Sequence, residues 1–342
     1  QRFANKRTHS WSGTLDPTGS TGSREQRHFE IPLRSKRLRS RTLAEDIAIV
    51  GAGICGLCAA LALSKQGNRV TLYERDVPPP EGGANEAFFE WKRRGAAQFR
   101  HPHAFLGLMC NILQDNYPDL VEEFWEAGAR KVSFSDMVPP ELQDQYLPQP
   151  SDDKLWLLMC RRATIETVLR RYVTRQPNIE INDQANVVGA KFTEIDGRPA
   201  VEAIEVIQSG ERTDIKADIF IDAGGRSSQF REWFKEIGVT PRVEDDDAEI
   251  VYYTRHYKLL PGVAEPSRHE QERSAGDLGY MKYGVFPGED GHFAVIICVP
   301  DGETELREAI KTGETYDEIC REIPGLNNWM AADKAEATTV SF

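Results

Sequence analysis

The segment from Glu45 to Leu63, EDIAIVGAGICGLCAALAL, constrains the fold of this chain more than any other. A short apolar run, IAIV, leads into a turn with three glycines, and a segment with helical apolar spacing follows and is closed by Gly67. A second strand-like run, RVTLYERD, comes next. This order predicts a βαβ unit with the glycines at the start of its helix. The predicted fold class is therefore α/β, with a Rossmann-like domain.

The glycine turn also predicts a binding site for a dinucleotide. Gly51, Gly53 and Gly56 form a GxGxxG motif, which removes side chains at a tight turn, beside a pyrophosphate and at the contact between helix and strand. The helix N-terminus offers free N–H groups to phosphates. Glu74 ends the second strand, where a carboxylate accepts hydrogen bonds from ribose hydroxyls, and Arg75 after it is also predicted to bind the cofactor. The predicted binding residues of the turn are Gly51, Ala52, Gly53, Ile54, Cys55 and Gly56.

Cys55 and Cys58 place a CxxC motif over the same turn. A redox pair needs exposure and a lowered pKa, and a zinc site needs further ligands that no second CxxC or His pair supplies. We therefore interpret the two cysteines as packing residues and predict no metal site. The six cysteines are scattered and no secretory segment precedes them, which favours reduced thiols and a cytoplasmic location.

Charge and composition exclude several classes of protein. The chain of 342 residues is 40% hydrophobic and 28% charged, as is usual for a globular protein. Residues 1–43 hold ten Lys and Arg against three Asp and Glu, so the rest is more acidic than the net charge of -12 suggests. This balance argues against nucleic acid as a partner. Glycines interrupt the longest uncharged run, 47–64, so no transmembrane helix is predicted.

Five segments are predicted along the chain. Residues 1–44 are polar and basic without apolar periodicity, which predicts a disordered leader. Residues 45–135 form the first part of the nucleotide-binding domain, with a helical region from His103 to about Gly128, and 136–153 form a polar connection. Residues 154–240 form the second part of that domain, and 241–342 form a strand-rich domain.

Turn signals and apolar patterns support the later segments. KLWLLMCRRATIETVLRRYVTRQ predicts a strand followed by a helix, and ADIFIDAGG predicts a strand buried on both faces. The dipeptides Asp196-Gly197 and Ser209-Gly210, together with the sequence 288–291, predict hairpin turns. ELREAIKTGETYDEICREI predicts one helix near the end of the chain.

Several of these stretches resemble one known superfamily. VGAGICGLCAALAL, YERD, CRRATIETVLRR and ADIFIDAGGRSSQFREWF are similar to the flavin-dependent aromatic hydroxylases and epoxidases, which share the para-hydroxybenzoate hydroxylase-like fold. AQFRHPHAFLG and YYTRHYKL resemble a branch that contains polyketide epoxidases. The resemblance covers about residues 46–342. It implies a Rossmann-like FAD-binding domain with an inserted strand-rich substrate domain.

The resemblance also implies site residues. The three glycines and Glu74 match the positions that bind the ADP part of FAD, and Arg162 matches an arginine that contacts FAD. A GD motif that holds the ribityl chain in the family has no counterpart before Phe342, which implies a truncated chain without the last segment of the FAD domain. A family element that approaches the cofactor, and NAD(P)H in many members, corresponds to Asp222, Gly224, Gly225 and Arg226.

The function implied is that of an FAD-dependent monooxygenase. It would use NAD(P)H and O₂ to hydroxylate or epoxidise an apolar or aromatic small molecule, with the protein supplying position, polarity and exclusion of water. Gln98, His101 and His103, at the start of a predicted helix, are candidates to contact flavin and substrate, and an ordinary helix entrance is the alternative. Other readings are a flavin-dependent reductase of the geranylgeranyl-reductase type and a truncated non-catalytic remnant. A flavin-dependent halogenase is disfavoured because the sequence has no WxWxIP motif.

Overall fold

A computed structural model describes residues 44–267 and 272–341 of the chain, so the predicted leader lies outside the described residues except for its last position. The α-helices of the described residues are α1 (Ile54–Ser64), α2 (Ala84–Glu90), α3 (Gly107–Asn116), α4 (Pro118–Glu126), α5 (Phe134–Met137), α6 (Arg162–Thr174), α7 (Phe230–Glu236), α8 (Thr304–Ala309), α9 (Gly313–Arg321) and α10 (Pro324–Met330). The strands are β1 (Asp46–Val50), β2 (Arg69–Glu74), β3 (His103–Phe105), β4 (Arg130–Val132), β5 (Leu157–Cys160), β6 (Ile179–Asp183), β7 (Asn186–Ile195), β8 (Arg198–Gln208), β9 (Glu211–Ile215), β10 (Ile219–Asp222), β11 (Ile250–Leu259), β12 (Ala275–Asp277), β13 (Lys282–Pro287), β14 (His292–Pro300) and β15 (Ala335–Ala337).

A parallel sheet of four strands, in the order β10-β1-β2-β6, organises the first half of the fold. The βαβ prediction is confirmed, since β1, α1 and β2 follow one another as expected. Ile47 and Ile49 pack into the core that α1 and α6 cover, whereas Ala48 packs into a second core with α7 and the β7-β8-β9 meander. The sheet is therefore covered on both faces, which is the layering of an α/β Rossmann-like fold.

One helix prediction and one strand prediction for the first half of the chain differ from the structure. The region from His103 was expected to be helical throughout, but 103–105 form β3, which pairs with β5, and α3 begins only at Gly107. Residues 219–222, expected to be buried on both faces, form β10 at an edge of the parallel sheet, with Ile219 37% exposed. The apolar run therefore predicted a strand correctly, but it did not show whether that strand lies at the centre or at the edge of the sheet.

A second, antiparallel sheet has the order β12-β13-β14-β11-β15 and confirms the strand-rich segment after residue 241. One face carries the stacked rings of Tyr257 and Phe293, with centroids 5.3 Å apart, and packs against α9 and α10. The single helix predicted near the end of the chain is wrong. The predicted segment, 305–323, instead holds α8 and α9, because a new helix begins at Gly313. Helix α10 follows it from Pro324, and proline suits a first helical position.

The predicted hairpin turns are confirmed. Asp196 and Gly197 both have positive φ between β7 and β8, and Ser209 and Gly210 do so between β8 and β9. Asp290 and Gly291 close the β13-β14 hairpin in the same way. The described residues belong to one compact unit, so the finer domain boundaries remain predictions. Among the helices of residues 44–267 and 272–341, none is long and apolar enough to cross a bilayer.

Candidate functional site

A cavity of about 620 Å³ opens where three parallel strands end. Val50, Glu74 and Asp222 are the last residues of β1, β2 and β10, and all three line it. Carboxyl ends of parallel strands are the usual place for a ligand in such sheets. Ala52 and Gly56 lie behind this wall and are buried. The predicted site residues that line the cavity are Gly51, Gly53, Ile54, Cys55, Glu74, Arg75, Gln98, Arg162, Asp222, Gly224, Gly225 and Arg226.

The glycines of the turn have distinct roles. Gly51 has φ +98, and a Cβ there would lie 2.5 Å from the carbonyl oxygen of Ala223. A Cβ at Gly56 would collide with the carbonyl oxygen of Gly51, so this glycine allows α1 to pack on the turn. A Cβ at Gly53 would meet only Arg93 Nη2, at 3.9 Å. Gly53 therefore leaves the N-terminus of α1 open to the cavity, as a bound pyrophosphate requires.

Glu74 is buried under the glycine turn, and the protein itself holds most of its carboxylate. Glu74 Oε2 accepts the N–H of Ala52 at 2.8 Å and lies 3.2 Å from Arg93 Nη1, while Oε1 accepts the N–H of Asp76 at 3.0 Å. A carboxylate has about four acceptor sites, so one remains for a ribose hydroxyl. Burial acts to raise the pKa of Glu74, but the charge of Arg93 and the backbone hydrogen bonds outweigh it and hold that pKa below its usual value.

A buried ionic chain continues from Glu74 across the floor of the site. Arg93 also pairs with Asp76 at 3.1 Å and, through Nε, with Glu166 Oε2 at 3.0 Å. Glu166 Oε1 in turn accepts Arg162 Nε at 2.6 Å. Burial opposes the charge on Arg93, but the neighbouring carboxylates raise its pKa above the usual value. These ion pairs thus fix the side chains of Arg93 and Arg162, which both line the cavity.

His103 contacts Arg162 at the end of this row of ion pairs but does not line the cavity. Its Nε2 lies 2.9 Å from Arg162 Nη1, and its Nδ1 lies 2.8 Å from the carbonyl oxygen of His101. Because a guanidinium can only donate, Nε2 accepts and Nδ1 carries the proton. Burial is the main reason that the pKa of His103 is lowered, which favours this neutral form.

His101 faces the antiparallel sheet rather than the cavity. Its Nδ1 lies 2.8 Å from Thr254 Oγ1 on β11, and burial lowers its pKa. On the same strand, His256 Nε2 donates to the carbonyl oxygen of Arg100 at 2.6 Å. Of the three residues predicted to contact flavin and substrate, only Gln98 therefore lines the cavity, and the two histidines support its wall.

The loop after β10 forms the opposite wall. Asp222 Oδ1 accepts the N–H of Gly224 at 2.9 Å, and its other oxygen accepts Ser228 Oγ at 2.5 Å. Gly225 has φ +67, a conformation that glycine adopts without strain. Asp222 therefore fixes the conformation of its own loop, and Arg226 in this loop is exposed and lines the cavity.

The two cysteines of the CxxC motif have different environments. Cys58 packs against the main core, where burial raises the pKa of its thiol to about 12, so the packing interpretation holds for it. Cys55 is exposed and lines the cavity, so that interpretation is wrong for Cys55. In the described parts of the chain, no group of three or more His, Cys, Asp or Glu is arranged to hold a metal ion.

Sequence reasoning missed some residues of the site. Arg93, Asp76 and Glu166 were not singled out, although Glu166 stands four residues after Arg162, a spacing typical of paired charges on a helix. The aromatic residues Tyr73, Phe230 and Trp233, which also line the cavity, were missed as well. Their pattern in the sequence is that of ordinary core residues, so no signal distinguished them.

Comparison with known proteins agrees with the geometry of the site. Residues 46–136 match the family model described as FAD dependent oxidoreductase. They contain β1, α1, β2, Glu74 and Arg93, which together make one side of the cavity. FAD is therefore the cofactor that the family match supports.

One relative matches this chain beyond residues 46–136, and another matches a shorter stretch. Protein Rv3254 of Mycobacterium tuberculosis is 27% identical over 260 residues, which are 69% of this chain and 51% of that protein. An FAD-dependent monooxygenase of Aspergillus terreus is 54% identical over 43 residues, which are 13% of this chain and 10% of the relative. The chain thus spans about half the length of the first relative, and its match to the second covers 10% of that relative.

Solved structures share the fold over most of the chain. The flavin-dependent halogenase CmlS aligns with a TM-score of 0.58 at 17% identity, covering 88% of this chain and 50% of that chain. The probable FAD-dependent monooxygenase pqsL of Pseudomonas aeruginosa aligns with a TM-score of 0.55 at 14% identity, covering 87% of this chain and 74% of that chain. At these identities the likeness concerns the fold alone.

Proposed function

We propose that this chain is part of an FAD-dependent monooxygenase that uses NAD(P)H and O₂ to hydroxylate or epoxidise an apolar or aromatic small molecule. The observation that carries the proposal is the single cavity shared by the glycine turn, Glu74, Arg162 and the loop after β10. Bound FAD would supply the oxygen-activating chemistry, as flavins do in such enzymes. Because the scattered cysteines favour reduced thiols, we also propose that the protein is located in the cytoplasm.

In this proposal different residues of the cavity bind different parts of FAD. The open N-terminus of α1 at Gly53 receives the pyrophosphate, and the free acceptor site of Glu74 receives a ribose hydroxyl. Arg162, held by Glu166 and His103, directs its charge toward the cavity. The backbone around Gly224 and Gly225 approaches the cofactor from the other side.

Gln98 lines the cavity and lies three residues before His101. Nearby His101 bonds to Thr254, and His256 bonds to the backbone of Arg100. These contacts fix the segment 98–103 against β11, on the sheet that we propose binds the substrate. We therefore propose Gln98 as the residue that contacts flavin or substrate, and His101 and His103 as residues that position its segment.

Coupled oxygen and reductant measurements test this function. The purified chain, loaded with FAD, is mixed with NADH or NADPH and a panel of aromatic and apolar compounds while O₂ is recorded with an electrode. The proposal expects a compound that speeds both NAD(P)H oxidation and O₂ uptake and that gains one oxygen atom by mass spectrometry. Reduction of a carbon–carbon double bond without O₂ uptake would instead support a reductase of the geranylgeranyl-reductase type. FAD retention without any turnover would support a non-catalytic remnant.

A further inference from the structure

Exposed aliphatic side chains are concentrated in one part of the chain. Five leucine and isoleucine side chains between residues 106 and 155 are 44% to 77% exposed, and none of them lines the cavity. We call this group the aliphatic surface: Leu106, Leu108, Ile112, Leu147 and Leu155. Single exposed apolar residues are ordinary on a protein, but a group of them is typical of a site that binds another protein.

The first turn of α3 lies against Leu155. A Cβ at Gly107 would lie 2.6 Å from the carbonyl oxygen of Lys154 and 3.7 Å from Leu155 Cα. Asn111 Nδ2 donates to the same carbonyl oxygen at 3.1 Å. The residues on either side of Gly107, which are both exposed leucines, therefore lie beside Leu155.

The segment before this leucine extends the aliphatic surface. Asp152 Oδ2 accepts the hydroxyl of Tyr146 at 2.6 Å and the N–H of Gln149 at 2.8 Å, so the chain around Leu147 folds back on it. Residues 150–154 pack against both α3 and α5. The exposed aliphatic side chains thus come from adjoining segments of the structure.

The exposed side of α3 suits an incoming helix. Leu108 and Ile112 are four residues apart in α3, so they form a ridge on one side of it. Such a ridge packs into the groove between the side-chain rows of another helix. Residues 106–117 and 138–156 contain no strand in the structure, so an extended partner would find no strand edge there.

The charged residues around the aliphatic surface are mostly acidic. Residues 134–155 include five Asp and Glu but only one basic residue, Lys154. Asp144 and Asp153 are exposed, and so is Asp115, which continues the ridge of α3. A second copy of this surface would bring like charges together, and an anionic membrane would repel it. Charge complementarity therefore favours a basic partner.

We propose that the aliphatic surface is a docking site for a basic amphipathic helix of a partner protein. The apolar side of that helix would cover Leu108, Leu147 and Leu155, and its lysine and arginine side chains would pair with Asp144 and Asp153. This proposal does not rest on the proposed function, because the aliphatic surface does not line the cavity.

Fluorescence anisotropy with labelled peptides tests the apolar part of the proposal. The probe is a synthetic helical peptide of about 18 residues with leucine along one side and lysine on the other. Leu108→Ser/Leu147→Ser should raise its Kd at least about tenfold, because two apolar contacts are lost. Ile195→Ser is the matched control, since Ile195 is 60% exposed on β7, and its Kd should stay within about twofold of wild type. Circular dichroism checks folding, and Leu108→Ser alone carries the test if the double variant is unfolded.

A second pair of variants tests the charge. Asp144→Asn/Asp153→Asn should raise the Kd of the basic peptide at least about fivefold at low salt, and this difference should shrink at high salt. Asp245→Asn/Asp246→Asn makes the same change in net charge at exposed residues of the acidic run 244–247, and its Kd should stay within about twofold of wild type.

Three results would overturn the proposal. One is a wild-type chain that does not bind the basic peptide, or that binds equally a peptide with glutamate in place of each lysine. Another is equal affinity of wild type and Leu108→Ser/Leu147→Ser for the basic peptide. The third is a wild-type dimer in sedimentation velocity that dissociates in the same double variant, which would assign the surface to a second copy. None of these results bears on FAD retention, so the proposed function would stand.

Discussion

Arg93 Nε and Glu166 Oε2 form an ion pair of 3.0 Å in the interior of the protein, where both side chains are almost fully buried. The same guanidinium pairs with Glu74 and Asp76 through Nη1. One arginine therefore pairs with three carboxylates, of which Glu166 also pairs with Arg162. Removing a single partner from such a buried cluster leaves charge without compensation, which is costly.

The first prediction follows from this cluster. Arg93→Met should lower the free energy of unfolding by about 3–5 kcal/mol, because the three carboxylates lose their shared cation. Urea unfolding followed by circular dichroism measures the change. Arg212→Met is the matched control, since the Arg212 side chain is exposed and pairs with Glu205 at 3.6 Å, so its loss should change stability by less than about 1 kcal/mol. Equal stability of the two variants would contradict this account of Arg93.

The second prediction separates binding from folding in the glycine turn. Gly53→Ala should keep the thermal midpoint of the wild type, because its Cβ meets only Arg93 Nη2 at 3.9 Å, yet should bind FAD at least about tenfold more weakly because the Cβ enters the space of the pyrophosphate. Gly56→Ala should instead destabilise the protein, since its Cβ collides with the turn. Gly302→Ala, which has open space, is the control for both measurements. A Gly53→Ala variant with normal FAD affinity would argue against a pyrophosphate at this turn.

The third prediction concerns pH and the histidines between the two sheets. Burial is the main reason that the pKa of His256 and the pKa of His292 are lowered to about 4, and the charge of Arg161 adds to it. Unfolded histidine has a pKa of about 6.5, so the unfolded chain binds more protons between these values. The contribution of these two neutral histidines to the free energy of unfolding is thus fully present above about pH 6.5. It is lost as the pH falls toward 4, by roughly 3 kcal/mol for each histidine.

Urea unfolding at several pH values between 4 and 7.5 measures this dependence. His256→Gln, which keeps a donor for the carbonyl oxygen of Arg100, should flatten the dependence by about the share of one histidine. A wild-type stability that stays constant from pH 6.5 to 4.5 would be incompatible with two buried neutral histidines.

The fourth prediction concerns thiol labelling. Cys55 is exposed in the cavity, whereas burial raises the pKa of the Cys58 thiol to about 12, which leaves little thiolate near pH 8. A maleimide should therefore label Cys55 well before Cys58, and FAD should slow that labelling because it covers the cavity wall. Peptide mass spectrometry identifies the labelled residue, and Cys55→Ser should lose the FAD-sensitive fraction. Labelling of Cys55 at the same rate with and without FAD would place the cofactor elsewhere.

The βαβ unit and most of the site residues could be predicted because their signals are local. Gly51, Gly53 and Gly56 stand at fixed spacing within one turn, and Glu74 ends the next strand, so chain order alone brings them together. Arg162 and Asp222 could be placed at the same cavity only through resemblance to a family, because they come from α6 and β10.

The remaining features depend on tertiary contacts that no local pattern encodes. Arg93 has the sequence context of a surface arginine, yet carboxylates from β2 and α6 surround it. His103 follows a short polar stretch that resembles a helix entrance, but pairing with β5 makes it a strand residue. The edge position of β10 depends in the same way on which strands pair, and an apolar run is equally compatible with an edge or a central strand.

The visible absorption spectrum of the purified chain, recorded before and after incubation with FAD and desalting, tests the central claim most directly. We expect an oxidised-flavin spectrum to be retained after desalting in wild type and in Gly302→Ala, and to be weaker in Gly53→Ala. A colourless wild-type protein that keeps no FAD under these conditions would contradict the claim that this cavity binds the cofactor.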